Sequence, residues 1–263
     1  NEISVSSGAG VALEGASENV ITGNELTDNT NGVTVDITRA VPTGSPSDDN
    51  RIEGNTMDES GGLEIVESSG NHLIDNTVQR ATEPGVQLEY ALDNVVRGND
   101  VRGNKAGVEL KASSGNHIED NDASQSEGTG IALESLSLSN TLLKNTSNGN
   151  DGDGIYVGDE TPVGAGTLIE GNTTNNNKTH GIVVSKPAHI IKNNSANDNG
   201  SWGIYAGVPS NGRTNVDAGG NRGQGNLGPL DPITLMPQQC HMVNCEGGPP
   251  IGGDVVPPDT QII

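Results

Sequence analysis

The sequence contains little of the material from which a globular hydrophobic core is built. Its 263 residues include no phenylalanine, one tryptophan and three tyrosines. Glycine is abundant instead, with 38 residues. Because aromatic side chains bury the largest apolar areas, their scarcity argues against an ordinary globular core. It favours an architecture in which small aliphatic residues fill a narrow interior and each repeat packs on its neighbours.

Basic residues are also scarce, and this narrows the choice of partners. Thirteen lysines and arginines stand against 35 aspartates and glutamates, which gives a formal net charge of −22. Nucleic acid and anionic membrane surfaces repel so acidic a chain, and we predict neither as a partner. No apolar run approaches the ~20 residues of a membrane-spanning helix, so no membrane insertion is predicted. The acidity has two open explanations, a solubilising surface adapted to high salt or the binding of multivalent cations.

One sequence motif recurs along the chain: a glycine followed by apolar residues at alternate positions. The intervals range from 22 residues (Gly10 to Gly32) to 30 residues (Gly32 to Gly62). Such a period is typical of solenoid proteins, and alternate apolar residues indicate a strand with one buried face. Nine repeats are predicted, beginning at Gly10, Gly32, Gly62, Gly85, Gly107, Gly130, Gly154, Gly181 and Gly203.

A second short apolar segment in each repeat is followed by an asparagine at a constant position. Asparagines repeated in phase predict a ladder of side-chain amides that stack along the axis and bond the backbone of the turns. A helical solenoid is the competing interpretation, but no ten-residue stretch has helical spacing, so strands are favoured. The predicted ladder consists of Asn24, Asn55, Asn76, Asn99, Asn121, Asn145, Asn172 and Asn193.

The combined pattern, G-[IV]-x-[VL] followed by N-x-[IL]-x-x-N, resembles that of the right-handed parallel β-helix repeat proteins of the pectin-lyase-like superfamily. The resemblance covers residues 1–226 and implies an all-β solenoid of about nine to ten coils with three short sheets. Most members are extracellular or periplasmic polysaccharide lyases, hydrolases and epimerases, or surface and phage-tail modules. The resemblance therefore implies a secreted protein, but the fold does not choose among these activities.

Regular repeats stop near residue 226, and a cap and a linker are predicted beyond it. Residues 227–246 hold the only two cysteines, whose spacing favours a local disulfide between Cys240 and Cys245 in an oxidising compartment. Residues 247–263 are rich in glycine and proline and indicate a linker toward another domain. We expect one module of a larger secreted protein, extended at its N-terminus as well.

The alternative for the cap is a Cu(I) site, which requires that the thiols are reduced. Its soft ligands would be Met236, Cys240, His241, Met242 and Cys245.

The outward residues of the first strand form the predicted functional face, because the superfamily often places its substrate groove there. Carboxylates two coils apart, such as Glu89 and Glu134, would lie roughly 9.6 Å apart, near the wide end of the separation in inverting glycosidases. With Lys111 between them, these are the candidate catalytic residues, although the glutamates predict a raised lysine pKa and a poor base. The alternative is a solvated ladder of alternating charges.

Calcium is considered as a cofactor, with the candidate ligands Glu64, Glu89 and Glu109.

Toward the C-terminus the same face becomes aromatic. Rings beside the rod can stack on sugar faces, and aspartate and histidine can orient hydroxyl groups. The predicted glycan-binding residues are Asp153, Tyr156, His180, Trp202 and Tyr205. The alternative is that these side chains only shield the end of the solenoid. The remaining histidines, His72, His117 and His189, are expected to face outward on non-adjacent coils, which argues against a shared metal.

The catalytic motifs of polygalacturonases, pectate lyases and mannuronan epimerases are absent from the chain. We therefore predict an extracellular module that binds glycan, on a polysaccharide or at a cell surface, or that acts as a surface spacer between neighbouring domains of the same chain. The alternative is a divergent polysaccharide lyase, hydrolase or epimerase acting on the first-strand face.

Overall fold

The chain folds as a parallel β-helix, as the repeat predicted. The computed structural model describes residues 1–36, 44–158, 166–207, 214–229 and 239–245. Within these ranges every strand pairing is parallel, no helix is present, and the chain winds into a solenoid of about nine turns. The described residues accordingly contain no helix that could span a membrane.

Three sheets run along the solenoid. In the described residues the first sheet has ten strands, β2 (Ala9–Glu14), β5 (Asn31–Asp36), β8 (Leu63–Val66), β11 (Val86–Glu89), β13 (Val108–Lys111), β15 (Ile131–Glu134), β17 (Ile155–Val157), β19 (Ile182–Val184), β21 (Ile204–Ala206) and β23 (Cys240–His241). The second has nine, β3 (Val20–Thr22), β6 (Arg51–Glu53), β9 (His72–Ile74), β12 (Val95–Arg97), β14 (His117–Glu119), β16 (Thr141–Leu143), β18 (Leu168–Glu170), β20 (Ile190–Lys192) and β22 (Val216–Asp217). The third has four, β1 (Glu2–Ser4), β4 (Glu25–Thr27), β7 (Thr56–Asp58) and β10 (Thr77–Gln79), and single parallel bridges continue its face as far as Ser195 and Arg222.

The core is a set of aliphatic columns along the axis. On the first sheet the inward residues pair in register from coil to coil. One column, fully buried throughout, consists of Val86, Val108, Ile131, Ile155, Ile182 and Ile204. Each such side chain stabilises the fold by roughly 1.5–3 kcal/mol relative to an exposed one, and branched residues suit the pleated surface. Small aliphatic residues thus suffice, as the lack of phenylalanine predicted.

The glycine that opens each repeat is required by the closeness of the next coil. A Cβ atom on Gly181 would lie 2.4 Å from the carbonyl oxygen of Gly203 and 2.9 Å from the side-chain amide of Asn199. At Gly62 it would lie 2.2 Å from the carbonyl oxygen of Pro84. Since the two carbonyl oxygens belong to the backbone of a packed neighbouring coil, any side chain at Gly62 or Gly181 forces the coils apart.

The asparagine ladder links the coils through both backbone and side chain. Each backbone N–H donates to the Oδ1 atom of the asparagine one coil further on, at 2.9–3.0 Å, through Asn24, Asn55, Asn76, Asn99, Asn121, Asn145, Asn172, Asn194 and Asn221. The prediction of Asn193 is therefore wrong by one residue. Asn193 occupies the turn with a φ of 54°, whereas its neighbour Asn194 is fully buried. The pairs Ile190-Ile191 and Asn193-Asn194 obscured the register, because a shift of one residue reverses the two faces of a strand.

Two further ladders were not predicted. One precedes the second sheet and runs through Asn19, Asn50, Asn71, Asn94, Asn116 and Asn140. The other lies at the third turn and runs through Asn150, Asn177, Asn199 and Asn226 to Gln239. A coil that turns three times leaves three sets of backbone groups to satisfy, and amides meet that requirement at each turn.

His189 departs from the expected outward position. Its side chain is 1% exposed and takes an asparagine's place in the ladder that precedes the second sheet. The ring Nδ1 accepts a hydrogen bond from the backbone N–H of Thr167 at 3.0 Å, and the His189 N–H donates to Asn215. Burial lowers the pKa of His189 to about 4. In the described residues its Nε2 atom has no hydrogen-bond partner.

The C-terminal cap adds one more strand to the first sheet. Cys240 and His241 pair in register with Ile204 and Tyr205. Cys240 is buried and forms a disulfide with Cys245, with a Cα–Cα separation of 6.1 Å. Cys240, Val243 and Cys245 join the hydrophobic core at this end. The proposed linker at 247–263 lies outside the described residues.

Candidate functional site

The outward face of the first sheet carries nearly all of the predicted site residues. Its strands pair in register, so equivalent side chains form straight columns along the rod. One of these columns, called the outward column, consists of Ala12, Thr34, Glu64, Gln87, Glu109, Ala132, Tyr156, Val183, Tyr205 and His241. Adjacent members are about 4.8 Å apart because that is the spacing of strands in a sheet.

A cleft of about 410 Å³ lies in the middle of this face. Its floor consists of outward residues from β11, β13 and β15, and its wall of residues from the turns that precede them. We call it the central cleft, lined by Glu83, Pro84, Gln87, Lys105, Ala106, Glu109, Lys111, Gly128, Thr129, Ala132 and Glu134. The small side chain of Ala132 lies between longer ones, which deepens the surface at that point.

The central cleft brings together two of the three catalytic candidates, Lys111 and Glu134, and Glu89 extends their column by one coil. Lys111 Nζ donates to Glu109 Oε2 of its own strand at 2.7 Å. Burial opposes the charged form of Lys111, but that hydrogen bond and the charges of Glu109, Glu134 and Glu89 raise its pKa. The predicted direction is thus confirmed, and a lysine with a raised pKa is a poor base at neutral pH.

Glu64 occupies a smaller cleft of about 160 Å³ that adjoins the central one and shares Glu83, Pro84 and Gln87 with it. The Nδ2 atom of Asn31 donates to Glu64 Oε2 at 3.1 Å. Burial, followed by the charges of Asp36 and Glu89, raises the pKa of Glu64. Among the described carboxylates with a shifted pKa, this is the one whose pKa is raised.

The calcium candidates do not assemble into a ligand set. Within the described ranges no group of three or more His, Cys, Asp or Glu residues could hold a metal ion. Glu109 is paired with Lys111, and Glu64 with Asn31. Glu64, Glu89 and Glu109 are neighbours on one face without a common centre.

At the C-terminal end, Asp153 and His180 form a tight pair on adjacent coils. The ring Nδ1 of His180 lies 2.8 Å from Asp153 Oδ1, and the His180 backbone N–H donates to the same oxygen at 3.0 Å. Thr179 Oγ1 donates to it as well. Burial alone would raise the pKa of Asp153, but the hydrogen bonds from His180 and Thr179 lower it. The carboxylate therefore orients the imidazole ring.

The ring cluster beside this pair contains one residue that the sequence analysis did not assign to it. Tyr205 stacks on His241 with ring centroids 4.9 Å apart, and His180 lies 6.4 Å from Tyr205. The sequence indicated His241 only as a copper ligand, since it follows the last recognisable repeat and no glycine motif marks its strand. Tyr156 lies in the same column, but Val183 separates it from Tyr205.

Trp202 has a different role from the one predicted. Its side chain is 8% exposed, and it packs against Tyr205 and His241 with centroid distances of 6.5 and 5.3 Å. An indole so deeply buried offers no open face to a sugar, so the prediction of a stacking platform is wrong for Trp202. It supports these two half-buried rings.

Comparisons with known proteins agree with this architecture. The family model described as right handed beta helix region matches residues 1–142, and that of the periplasmic copper-binding protein NosD matches residues 84–216. No curated protein sequence matches the chain.

Solved structures share the fold at low sequence identity. The periplasmic alginate epimerase AlgG is 19% identical over 86% of this chain and 59% of its own, with a TM-score of 0.61. The A-module of the Azotobacter vinelandii mannuronan C-5 epimerase AlgE4 is 14% identical over 86% of this chain and 68% of its own, with a TM-score of 0.51. Bacteriophage CBA120 tailspike protein 3 is 11% identical over 94% of this chain and 52% of its own, with a TM-score of 0.53. The chain thus spans less than two thirds of AlgG, and identities this low show the fold alone.

The described residues do not fit the copper ion that the NosD description implies. Both cysteines are consumed by the disulfide, which leaves no free thiol among the described residues. Met242 packs on the hydrophobic core and His241 on Tyr205. Met236, the remaining soft ligand of the predicted site, lies outside the described residues.

Proposed function

We propose that this chain, which belongs to the right-handed beta helix family, is an extracytoplasmic module that binds polysaccharide along the outward face of its first sheet. The observation that carries the proposal is the central cleft, about 410 Å³ in volume and aligned with the stack of coils. A groove along a repeating surface suits a repeating polymer, because successive units of the ligand meet similar surroundings.

The lining of the cleft supplies the polar groups that a carbohydrate requires. The amide of Gln87, the ammonium of Lys111 and the carboxylate of Glu134 can each hydrogen-bond hydroxyl groups. Further along the same face, the rings of Tyr205, His241 and Tyr156 provide apolar faces for sugar rings. Together they form one face with a polar middle and an aromatic end.

The comparisons support the class of ligand and the compartment in coarse terms. Two of the similar structures are named as epimerases of alginate or mannuronan, and one as a phage tailspike. NosD and AlgG are both described as periplasmic. The disulfide of the cap supports an oxidising compartment outside the cytoplasm for this chain.

A divergent polysaccharide-active enzyme is the second candidate, favoured by one observation. Glu64, at the edge of the cleft, has a pKa that burial and the charges of Asp36 and Glu89 raise, and the general acid of a glycosidase is a carboxyl group with a raised pKa. Glu89, a further carboxylate, follows on the next coil.

The test combines a panel of neutral and anionic polysaccharides with a variant that fills the cleft. Replacing Ala132 by Trp on the floor should weaken retention in affinity gels by at least about tenfold, since the bulky ring occupies the sugar's position. Ala12→Trp is the matched control, because Ala12 lies in the same column but outside the cleft. Unsaturated products and new reducing ends are assayed in parallel.

Each outcome separates the candidates. Retention that Ala132→Trp abolishes and Ala12→Trp preserves, without products, supports the binding module. Products that disappear in Glu64→Gln support the enzyme. Retention of no polysaccharide contradicts both and leaves a structural spacer.

A further inference from the structure

The charges of the central cleft point to the chemistry of its ligand. Three glutamates and two lysines line it. Lys105 lies 3.1 Å from Glu83, and Lys111 lies 2.7 Å from Glu109, so both ammonium groups are already paired. Glu134 has no ion-pair partner among the described residues.

The excess of negative charge continues beyond the cleft. Glu64 accepts a hydrogen bond from a neutral amide, that of Asn31. Glu89 lies between Val66 and Lys111 in the next column and has no ion pair in the described part of the chain. Glu89 and Glu134 are roughly 10 Å apart, twice the strand spacing. Lys111, which lies between Glu89 and Glu134 in that column, is already hydrogen-bonded to Glu109, so the surface presents more carboxylates than cations along the rod.

The shifted pKa values of Glu64 and Lys111 agree with this surplus of negative charge. Burial and then the charges of Asp36 and Glu89 raise the pKa of Glu64. Burial opposes the charged form of Lys111, but the hydrogen bond to Glu109 and the charges of Glu109, Glu134 and Glu89 raise its pKa. The contributions of the carboxylates to both shifts have the sign that favours an added positive charge on this face and opposes an added negative one.

We infer that the cleft takes a polysaccharide carrying free, protonated amino groups, with Glu134, Glu89 and Glu64 as the partners of successive ammonium groups. A polyuronate would place its own carboxylates against these side chains and is excluded without a bridging cation. An aminosugar polymer also suits the aromatic end of the face, because ammonium groups bind the faces of tyrosine rings. This inference rests on the proposed function and specifies the ligand class for the same site.

The test measures the affinity of three short oligosaccharides of equal length by titration calorimetry. They are a glucosamine oligomer with free amines, its fully N-acetylated counterpart and an oligouronate. We expect the free-amine oligomer to bind at least about tenfold more tightly than the N-acetylated one. We also expect its affinity to fall as salt is added, because part of the attraction is between exposed charges.

Two variants distinguish the cleft from the general acidity of the protein. Glu134→Gln and Glu64→Gln remove one charge each, keep the shape of the side chain, and should weaken binding of the free-amine oligomer alone. Glu25→Gln removes the same charge from the exposed face of β4 on the third sheet and should leave the affinity unchanged. Circular dichroism melting curves confirm that each variant is folded.

Several results would overturn the inference. Equal affinity for the free-amine and N-acetylated oligomers would show that the cleft recognises hydroxyl groups rather than ammonium groups. The inference would then be wrong, and the proposed function would remain. Tighter binding of the oligouronate would reverse the assigned ligand charge. Loss of affinity in Glu25→Gln as large as in Glu134→Gln would reduce the effect to attraction by the whole protein. Binding of none of the oligomers, nor of any polysaccharide in the panel, would remove both proposals.

Discussion

The middle and the C-terminal end of the first sheet share one backbone and differ in the side chains that project from it. In the middle the outward column carries Gln87, Glu109 and Ala132, and a cleft opens between them. At the end it carries Tyr205 and His241, whose stacked rings fill the same space. Because the strands repeat in register, the difference arises from the side chains of the face and from the turns that line the cleft. The solenoid thus supplies a uniform scaffold, on which side chains and turns decide what the face can bind.

Two carboxylates show how far local surroundings diverge on this shared scaffold. Glu64, beside the cleft, has a raised pKa because of burial and of the nearby Asp36 and Glu89. Asp153, at the aromatic end, is also partly buried, yet hydrogen bonds from His180 and Thr179 lower its pKa. The decisive factor is whether hydrogen-bond donors or further carboxylates lie beside the group.

The largest expected effect concerns the asparagine ladder. Substitutions in it test whether the same ladder stabilises the coils in the middle and at the C-terminal end. Replacing Asn121 or Asn194 by glycine should each cost about 3–5 kcal/mol in the free energy of unfolding. Each removal leaves the buried backbone N–H of the preceding asparagine unpaired and takes away one of the hydrogen bonds of its side-chain amide, and glycine adds chain entropy. Urea denaturation followed by circular dichroism measures the cost.

Asn193→Gly is the matched control for that prediction. Asn193 adjoins Asn194 but has a φ of 54°, which glycine adopts readily. Its substitution should therefore change the stability little. Equal losses in Asn193→Gly and Asn194→Gly would contradict the assigned register of the ladder.

The second prediction concerns the dependence of stability on pH that arises from His189, near the C-terminal end. Unfolding exposes His189, which then takes up a proton below the ordinary pKa of 6.5, whereas in the fold its pKa is about 4. The unfolded state binds more protons in this window, so stability is complete above pH 6.5 and is lost as the pH falls toward 4. The full loss is about 3 kcal/mol.

His189→Asn restores the residue type found elsewhere in its ladder and should flatten that pH dependence. Chemical denaturation at both ends of the window measures the slope. Fluorescence of Trp202, the only tryptophan of the chain, reports on the end that contains the histidine. The same slope in the protein with and without His189 would refute the role assigned to it.

The smallest expected effect concerns the cap. Replacing Cys240 and Cys245 by alanine together should lower the stability by about 2 kcal/mol, since the disulfide closes a short loop. Trp202 fluorescence should shift to longer wavelength, because His241 covers the indole from the cap. Ligand binding in the central cleft should be unaffected. A loss of binding there, with unchanged fluorescence, would contradict the independence of the two regions.

The fold could be predicted to a large extent because its signals are local. Gly181 must be glycine because the next coil passes within contact distance, and every other coil meets the same constraint at its own first strand. Alternating aliphatic residues then mark the buried face of each strand. The position of His189 could not be predicted in this way, since a histidine in an asparagine's place breaks the pattern by which the ladder was found.

The candidate site was predictable only in part. The outward columns follow from the alternation in strands, and they correctly placed Lys111 beside Glu109 and Glu134. The sequence did not indicate the central cleft, because its depth depends on how the turns that precede β11, β13 and β15 lie beside the outward side chains of those strands. Nor did it indicate that His241 would stack on Tyr205, since His241 follows the last recognisable repeat of the sequence.

The amino-acid sequence by itself determined the solenoid, its period and the direction in which each strand faces. These properties depend on contacts between equivalent positions of neighbouring coils, which a repeat displays directly. Tertiary structure alone decided that Asn194 rather than Asn193 joins the ladder, that Trp202 is buried, and that a cleft lies above β13. These depend on register and on the volume left between side chains of different coils, and no single repeat contains that information.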